Sequence, residues 1–278
     1  VGDDKLPMLD QMSEGRPHNG IVLEASPLPM FSANYLDVVS RGRPYFTVRG
    51  KDDQRFSYNS HGWRFPFILY LDGIKDSGNM GAIIRSAYYL GVDAIFTSSR
   101  ATAPVDSVTI KASAGAAEVV PIGTVVKPQD FLAESRKHGW RVYAADAPEP
   151  PRENFNVTES HRRTSLDPEN TSPLVQIRHL NDTRLLPLHS PVLFHPTMLM
   201  MGGEGDGLSI RLKRLADYLV GIRGVKGEAI AMDSLNVSVA AAMLSLEFLK
   251  KPSDKLKQRA RQQFAEPRKP KRDDGFLF

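Results

Sequence analysis

The sequence contains no cysteine. That excludes disulfide frameworks and cysteine-ligated zinc, although it does not fix the redox compartment. Its seven histidines show no ligand-like spacing, so no metal is expected. No stretch approaches the roughly 18 uninterrupted apolar residues of a membrane-spanning helix, so no membrane partner is expected. No internal repeat is evident either. What is present is an ordinary globular composition: 278 residues, 41% hydrophobic, enough for one large domain or a medium domain with attachments. The net charge of +4 leans mildly toward an anionic partner. It is unevenly placed, because residues 250–278 carry ten Lys/Arg against four Asp/Glu, leaving the rest close to neutral. The chain opens at Val1 rather than Met, which suggests that a targeting segment or another domain precedes it.

Three changes of pattern divide the chain. Residues 1–60 are rich in charge, Gly and Pro and read as an extended arm or the remnant of a substrate-recognition domain. From 61 to 250 apolar runs alternate with segments of helical periodicity. Strands are expected at 65–74, 94–97, 118–122, 141–145, 197–202 and 218–222, and helices at 79–90, 106–114, 131–138, 208–216 and 235–249. Such alternation predicts an α/β fold with a mostly parallel sheet and helices on both faces. Residues 148–191 interrupt it with seven prolines and read as a surface insertion. The basic tail, 251–278, is expected to begin as helix and end disordered.

Three loops carry residues suited to chemistry. In the first, DGIKDSGNMGAIIR over 72–85, a strand gives way to a helix at the edge where open parallel sheets bind ligands. Arg85 there is either functional, or a surface arginine, or one partner of a structural salt bridge. The second, MMGGEGDGLS over 200–209, has glycines that permit close backbone approach. It meets a dinucleotide fingerprint only in part, and Glu204 is either functional or an ordinary residue near a helix start. In the third, MDSLNVSVAAA over 232–242, Asp233 or Ser234 could cap a helix that holds Asn236 in its first turns. A capped core helix explains it equally well.

Taken in order, these loops resemble the three motifs of the SpoU/TrmH family, ribose 2′-O-methyltransferases of the SPOUT superfamily. The matches are Asn79, Gly81-Ala82 and Arg85, then Gly202, Glu204, Gly205 and Gly207, then Ser234 to Ala240 without a change. Ser113 to Ala116 also fits the family's Ser-x-Gly-Ala stretch, and the likeness spans roughly 65–250. His18 to Leu23 resembles the segment that follows the substrate domain in large-subunit rRNA members, and the insertion and basic tail resemble fungal mitochondrial ones. The resemblance implies a deep C-terminal trefoil knot, a kind of topology otherwise nearly absent from proteins. It also implies S-adenosylmethionine bound in that knot, contacted by Gly202, Gly203, Ile222, Leu235 and Ala145. Further implications are a homodimer sharing its active sites, an RNA substrate, and a mitochondrial location.

In the chemistry so implied, a ribose oxygen attacks the sulfonium methyl in line. Arg85 is the family's proposed base, yet a guanidinium stays protonated. It suits binding the target phosphate and stabilising the developing alkoxide better. Asn79 would orient Arg85 or the ribose, Glu204 would position Arg85 or the cofactor loop, and Ser234 and Asn236 would hold that loop and the nucleotide. One departure stands out. Where the family has Ile-Pro-Met, this chain has Ile222-Arg223-Gly224-Val225 and four extra residues before Ser234, so the cofactor loop is shaped differently. Competing readings are the same chemistry on tRNA, a non-catalytic RNA-binding relative, and a dinucleotide-dependent oxidoreductase. The last would need its Gly-rich turn after the first strand, where 75–79 offers only Gly78.

Overall fold

A computed structural model describes residues 5–146, 175–182, 186, 190–223 and 234–258. Eight strands form one sheet in the order β1-β7-β6-β5-β10-β8-β11-β9. In chain order they are β1 (Phe31–Ser32), β5 (Phe67–Asp72), β6 (Ala94–Ser98), β7 (Ile122–Val125), β8 (Arg141–Ala145), β9 (Val175–His179), β10 (Thr197–Gly202) and β11 (Tyr218–Ile222). Every pairing is parallel except β9 with β11. The remaining strands, β2 (Tyr35–Leu36), β3 (Tyr45–Arg49) and β4 (Gln54–Ser57), make a small antiparallel sheet. The helices are α1 (Leu6–Met12), α2 (Ser77–Leu90), α3 (Ser107–Ser113), α4 (Pro128–Lys137), α5 (Pro191–Phe194), α6 (Ile210–Lys213) and α7 (Val237–Leu249). Among the described residues, no helix is long and apolar enough to cross a membrane.

The large sheet is covered on both faces, as the alternation predicts. Successive side chains of β5 point to opposite sides. Phe67, Leu69 and Leu71 meet Met80, Ile83, Ile84 and Ala87 of α2 and Ala241, Leu244 and Phe248 of α7. Ile68 and Tyr70 share a second core with Phe131 and Leu132 of α4, Leu212 of α6, and Leu36, Phe46 and Val48 of the small sheet. Because both faces are buried, the central strands are continuous apolar runs.

The differences from the sequence-based expectations have local causes. Residues 118–122 are not a strand. Pro121 lacks an N–H for a ladder, a 3-10 turn occupies Ala116–Glu118, and pairing starts at Ile122. The helix expected at 208–216 shrinks to Ile210–Lys213, begun by Ser209, whose hydroxyl accepts from the Leu212 amide. Asn236, not Asp233 or Ser234, caps α7, and Asp76 caps α2, which starts at Ser77. Within 1–60, residues 31–58 do more than trail along the surface: β1 joins the large sheet, and Leu36, Phe46, Val48 and Tyr58 are buried. The alternation in Tyr45–Arg49, with only Phe46 and Val48 fully inward, is the mark of a half-buried strand. The segment 148–191 likewise supplies β9, whose Ile177 is core. The rest of that insertion up to 174, the departing loop from 224 to 233, and the tail from 259 lie outside the described residues.

Candidate active site

Parallel strands place their carboxyl ends along one edge, and the three motif loops meet there. The first leaves β5 through Gly73, whose φ of +76° lies in the left-handed region that glycine enters without strain. The Gly73 amide donates to Thr102 Oγ1 at 3.1 Å, fixing the turn. Asp76 then starts α2 by accepting the Asn79 amide at 2.6 Å, which sets Asn79 in the first turn. Gly81 follows because α3 crosses close by: a Cβ there would lie 2.5 Å from Thr109 O and from the Ala112 methyl. Asp106, the cap of α3, accepts Ser77 Oγ at 2.7 Å and the Thr109 amide at 2.8 Å. Partial burial pushes its carboxyl up, but these hydrogen bonds, from Thr109 first, hold it below the ordinary aspartate value.

The second loop packs backbone on backbone. A Cβ on Gly203 would lie 1.9 Å from Gly73 O, and one on Gly202 would lie 2.2 Å from the Leu208 amide nitrogen. Only glycine permits this approach. The Gly207 amide closes the loop on Gly203 O at 3.2 Å, and Glu204 stands at its tip.

Side chains of all three loops then join in one relay. Asn79 Nδ2 donates to Glu204 Oε1 at 2.9 Å, and Asn236 Nδ2 donates to Asn79 Oδ1 at 3.1 Å. Asn236 Oδ1 accepts from the Ser238 amide at 2.8 Å and the Ser238 hydroxyl at 2.6 Å. The amide orientations follow from chemistry. An ionised carboxylate only accepts, so Asn79 must present its nitrogen to Glu204 and its oxygen to Asn236. Asn236 must keep its oxygen for the exposed amides of α7. The relay lies in solvent, and Glu204 reaches the Lys75 amide weakly at 3.5 Å.

Other sequence-predicted residues take different places. Gly202, Ala145 and Ile222 end three neighbouring parallel strands and are half-buried. Leu235, next to Asn236 in sequence, is an apolar side chain left 43% exposed. Ser234 is exposed, with no hydrogen bond among the described residues. Arg85 stands apart. Six residues beyond Asn79, it lies about 9 Å further along α2 and about 120° around it. It is exposed there, and among the described residues it forms no ion pair or hydrogen bond. One chain therefore unites Asn79, Glu204 and Asn236 but does not tie Arg85 to them. Sequence reasoning missed Asp76, Thr102 and Asp106, which shape the first loop, and the Lys213–Asp146 ion pair at 2.8 Å, which anchors the end of β8. The capping residues carried a readable signal, an Asp three positions ahead of a helical amide. The long-range pairs carried none. Among the described residues, no cluster of His, Asp or Glu could hold a metal.

Fold and site define a doubly covered, mostly parallel α/β protein with a three-loop polar site at the carboxyl edge of its sheet. The chain belongs to the SpoU rRNA Methylase family, whose family model matches residues 66–246. It is 34% identical over 85% of its length to "rRNA methyltransferase 1, mitochondrial" of Schizosaccharomyces pombe, covering 70% of that protein. It is 27% identical over 90% of its length to the "23S rRNA (guanosine-2'-O-)-methyltransferase" of Pseudomonas aeruginosa, covering 77% of it. The AdoMet complex of the SpoU methyltransferase AviRb from Streptomyces viridochromogenes superposes with a TM-score of 0.48 at 21% identity, covering 80% of this chain and 65% of that one. Across four mitochondrial relatives of the first name, the chain spans only 39 to 70% of their length.

Proposed function

We propose that this chain is the catalytic part of an S-adenosylmethionine-dependent methyltransferase that modifies a ribose 2′-hydroxyl of RNA, a guanosine of mitochondrial large-subunit rRNA. The observation that carries this reading is the Glu204–Asn79–Asn236 relay, which joins the three family motifs at the edge where Gly202, Ala145 and Ile222 end. Family membership also implies the trefoil knot, and β10 does enter the sheet between β5 and β8, both earlier in the chain. The location and the nucleotide follow the relatives' names.

The residues at that edge fit the cofactor. Ala145, Ile222 and the bare Leu235 offer apolar surface for an adenine, and Gly202 has no side chain to obstruct it. When bound, the cofactor supplies an electrophilic methyl group. The protein's own residues hold and prepare the nucleophile. Positioning of the ribose hydroxyl against that methyl provides much of the acceleration. The relay links the three loops, so the ribose meets polar groups already gathered at one edge. Arg85, committed to no carboxylate among the described residues, can grip the phosphate beside the target ribose and stabilise the alkoxide as the hydroxyl proton passes to solvent water at this exposed edge. Its position around α2, away from the relay, suits service to the site of a second copy in a homodimer.

Calorimetric titration with S-adenosylmethionine, with NAD as control, and methyl transfer to an rRNA transcript test the reading. Binding of the former alone, with label in ribose, is expected. NAD binding, or cofactor binding with no transfer to any RNA, would favour the oxidoreductase or the non-catalytic relative. The Arg85→Ala variant should lose methylation while keeping cofactor affinity. More than a tenth of normal turnover would remove Arg85 from this role.

A further inference from the structure

The small sheet turns one face to solvent, and that face is divided. Directly opposed residues of an antiparallel pair share a face. Tyr45 opposes Ser57, Thr47 opposes Arg55, and Tyr35 opposes Arg49, and these are the side chains not taken into the core. At one end Arg49 is held between two carboxylates, Asp37 at 2.6 Å and Asp53. At the other end the guanidinium of Arg55 lies 4.6 Å from the Tyr45 ring centroid, and that of Arg43 lies 5.9 Å from the same ring. Both arginines are exposed, and neither has a carboxylate partner among the described residues. Guanidinium forks match phosphate in pairs, and the hydroxyls of Thr47 and exposed Ser57 flank them as further donors. A cleft of about 310 Å³ borders Arg55, lined by Thr47, Arg49, Gln54 and Asp53; Asp53 is engaged by Arg49. Interleaved arginine and tyrosine on an open strand surface is the chemistry that tracks a nucleic-acid backbone.

We propose that Arg43, Arg55 and Tyr45 form a second RNA-contact surface, gripping the phosphate backbone of the substrate away from the nucleotide being methylated. The proposal rests on the reading of the protein as RNA-directed. It adds a contact on a sheet separate from the three motif loops. The occupant is a flexible RNA strand, because the surface has two arginines, a ring and hydroxyls but no enclosed base pocket.

The test compares the chain with its R43Q/R55Q variant, titrating a single-stranded rRNA fragment by fluorescence anisotropy over a salt series. S-adenosylmethionine affinity and melting temperature are read alongside to confirm that the fold is intact. The variant should bind RNA roughly tenfold more weakly at low salt, with a salt slope shallower by about 1.4, the share of two phosphate contacts on a single strand. The R43K/R55K variant keeps the charge but loses the forks and stacking, so it should keep the slope and lose part of the affinity. Equal RNA affinity and slope in all three proteins would overturn the proposal. So would a loss of binding confined to vesicles containing phosphatidylserine, which would make the surface a membrane contact. Loss of RNA affinity in the variant of a chain that never methylates RNA would sustain this surface while removing the catalytic reading.

Discussion

Two polar clusters sit at opposite ends of α2. At its start, Asn79 links Glu204 to Asn236 in the open. Beyond its end, Arg64 clasps Asp93 with bonds of 2.6 and 2.8 Å, and the two side chains are only 4% and 6% exposed. Asp93 also accepts the Phe67 amide at 2.7 Å, locking the first residue of β5 to the loop after α2. The chemistry of the two clusters is similar, and the surroundings decide what each does. A buried pair cannot turn to water, so it binds elements together. An exposed relay can be unmade at small cost in stability, so it is free to serve a ligand.

The widest separation between the clusters should come from removing one partner of the buried pair. Arg64→Ala strands a buried carboxylate and should cost about 3–5 kcal/mol, read as a fall in denaturation midpoint. A loss under about 1 kcal/mol would place the pair with ordinary surface bridges. Asn79→Ala should act in the opposite sense. Methyl transfer should fall about a hundredfold, the scale for losing one preorganised polar contact, while the unfolding free energy changes by no more than about 1 kcal/mol. Equal damage to stability and turnover would erase the contrast. The smallest effect concerns Asp106, which joins α3 to the first loop. Its native carboxyl titrates below the ordinary value of 3.8, so its stabilisation is complete above that value and is lost as the pH falls through the native one. Asp106→Asn keeps a capping side chain and should flatten the acid limb of a melting-temperature profile. An unchanged limb would assign that limb to other carboxylates.

The chemical loops were legible in the sequence because both their residue types and their order are local facts. The bounds of β8 and β11 were readable for the same reason, each being a short apolar run with clear breaks. The small sheet was obscured by charge: Arg49 and Arg55 make its outward positions look like a solvated arm, although Phe46 and Val48 of the same sheet point inward. β9 was hidden among prolines, and its Ile177 finds apolar company only through pairing with β11. The cap of α7 was misplaced by two to three residues because Asp233, Ser234 and Asn236 all have capping side chains. Geometry alone selects Asn236, which caps and reaches Asn79 at once. The distance of Arg85 from the relay was implicit in helical rotation, but its meaning depends on where Glu204 stands, which is set by a contact with Asn79 across 125 residues.

The entry of β10 between β5 and β8 also has a kinetic meaning. Both neighbours precede it in the chain, and β8 pairs only with β10 and β11, so a polypeptide that has emerged only through β8 keeps the β5 edge open, with the slot beside it unfilled and no strand to hold β8 there. Long-range parallel pairing is slow because loop closure must come first, and open strand edges invite mispairing in the interval. Filling the slot seals the sheet and brings Gly203 against Gly73 in the same event. The edge that carries the three motif loops is thus completed only when β10 pairs.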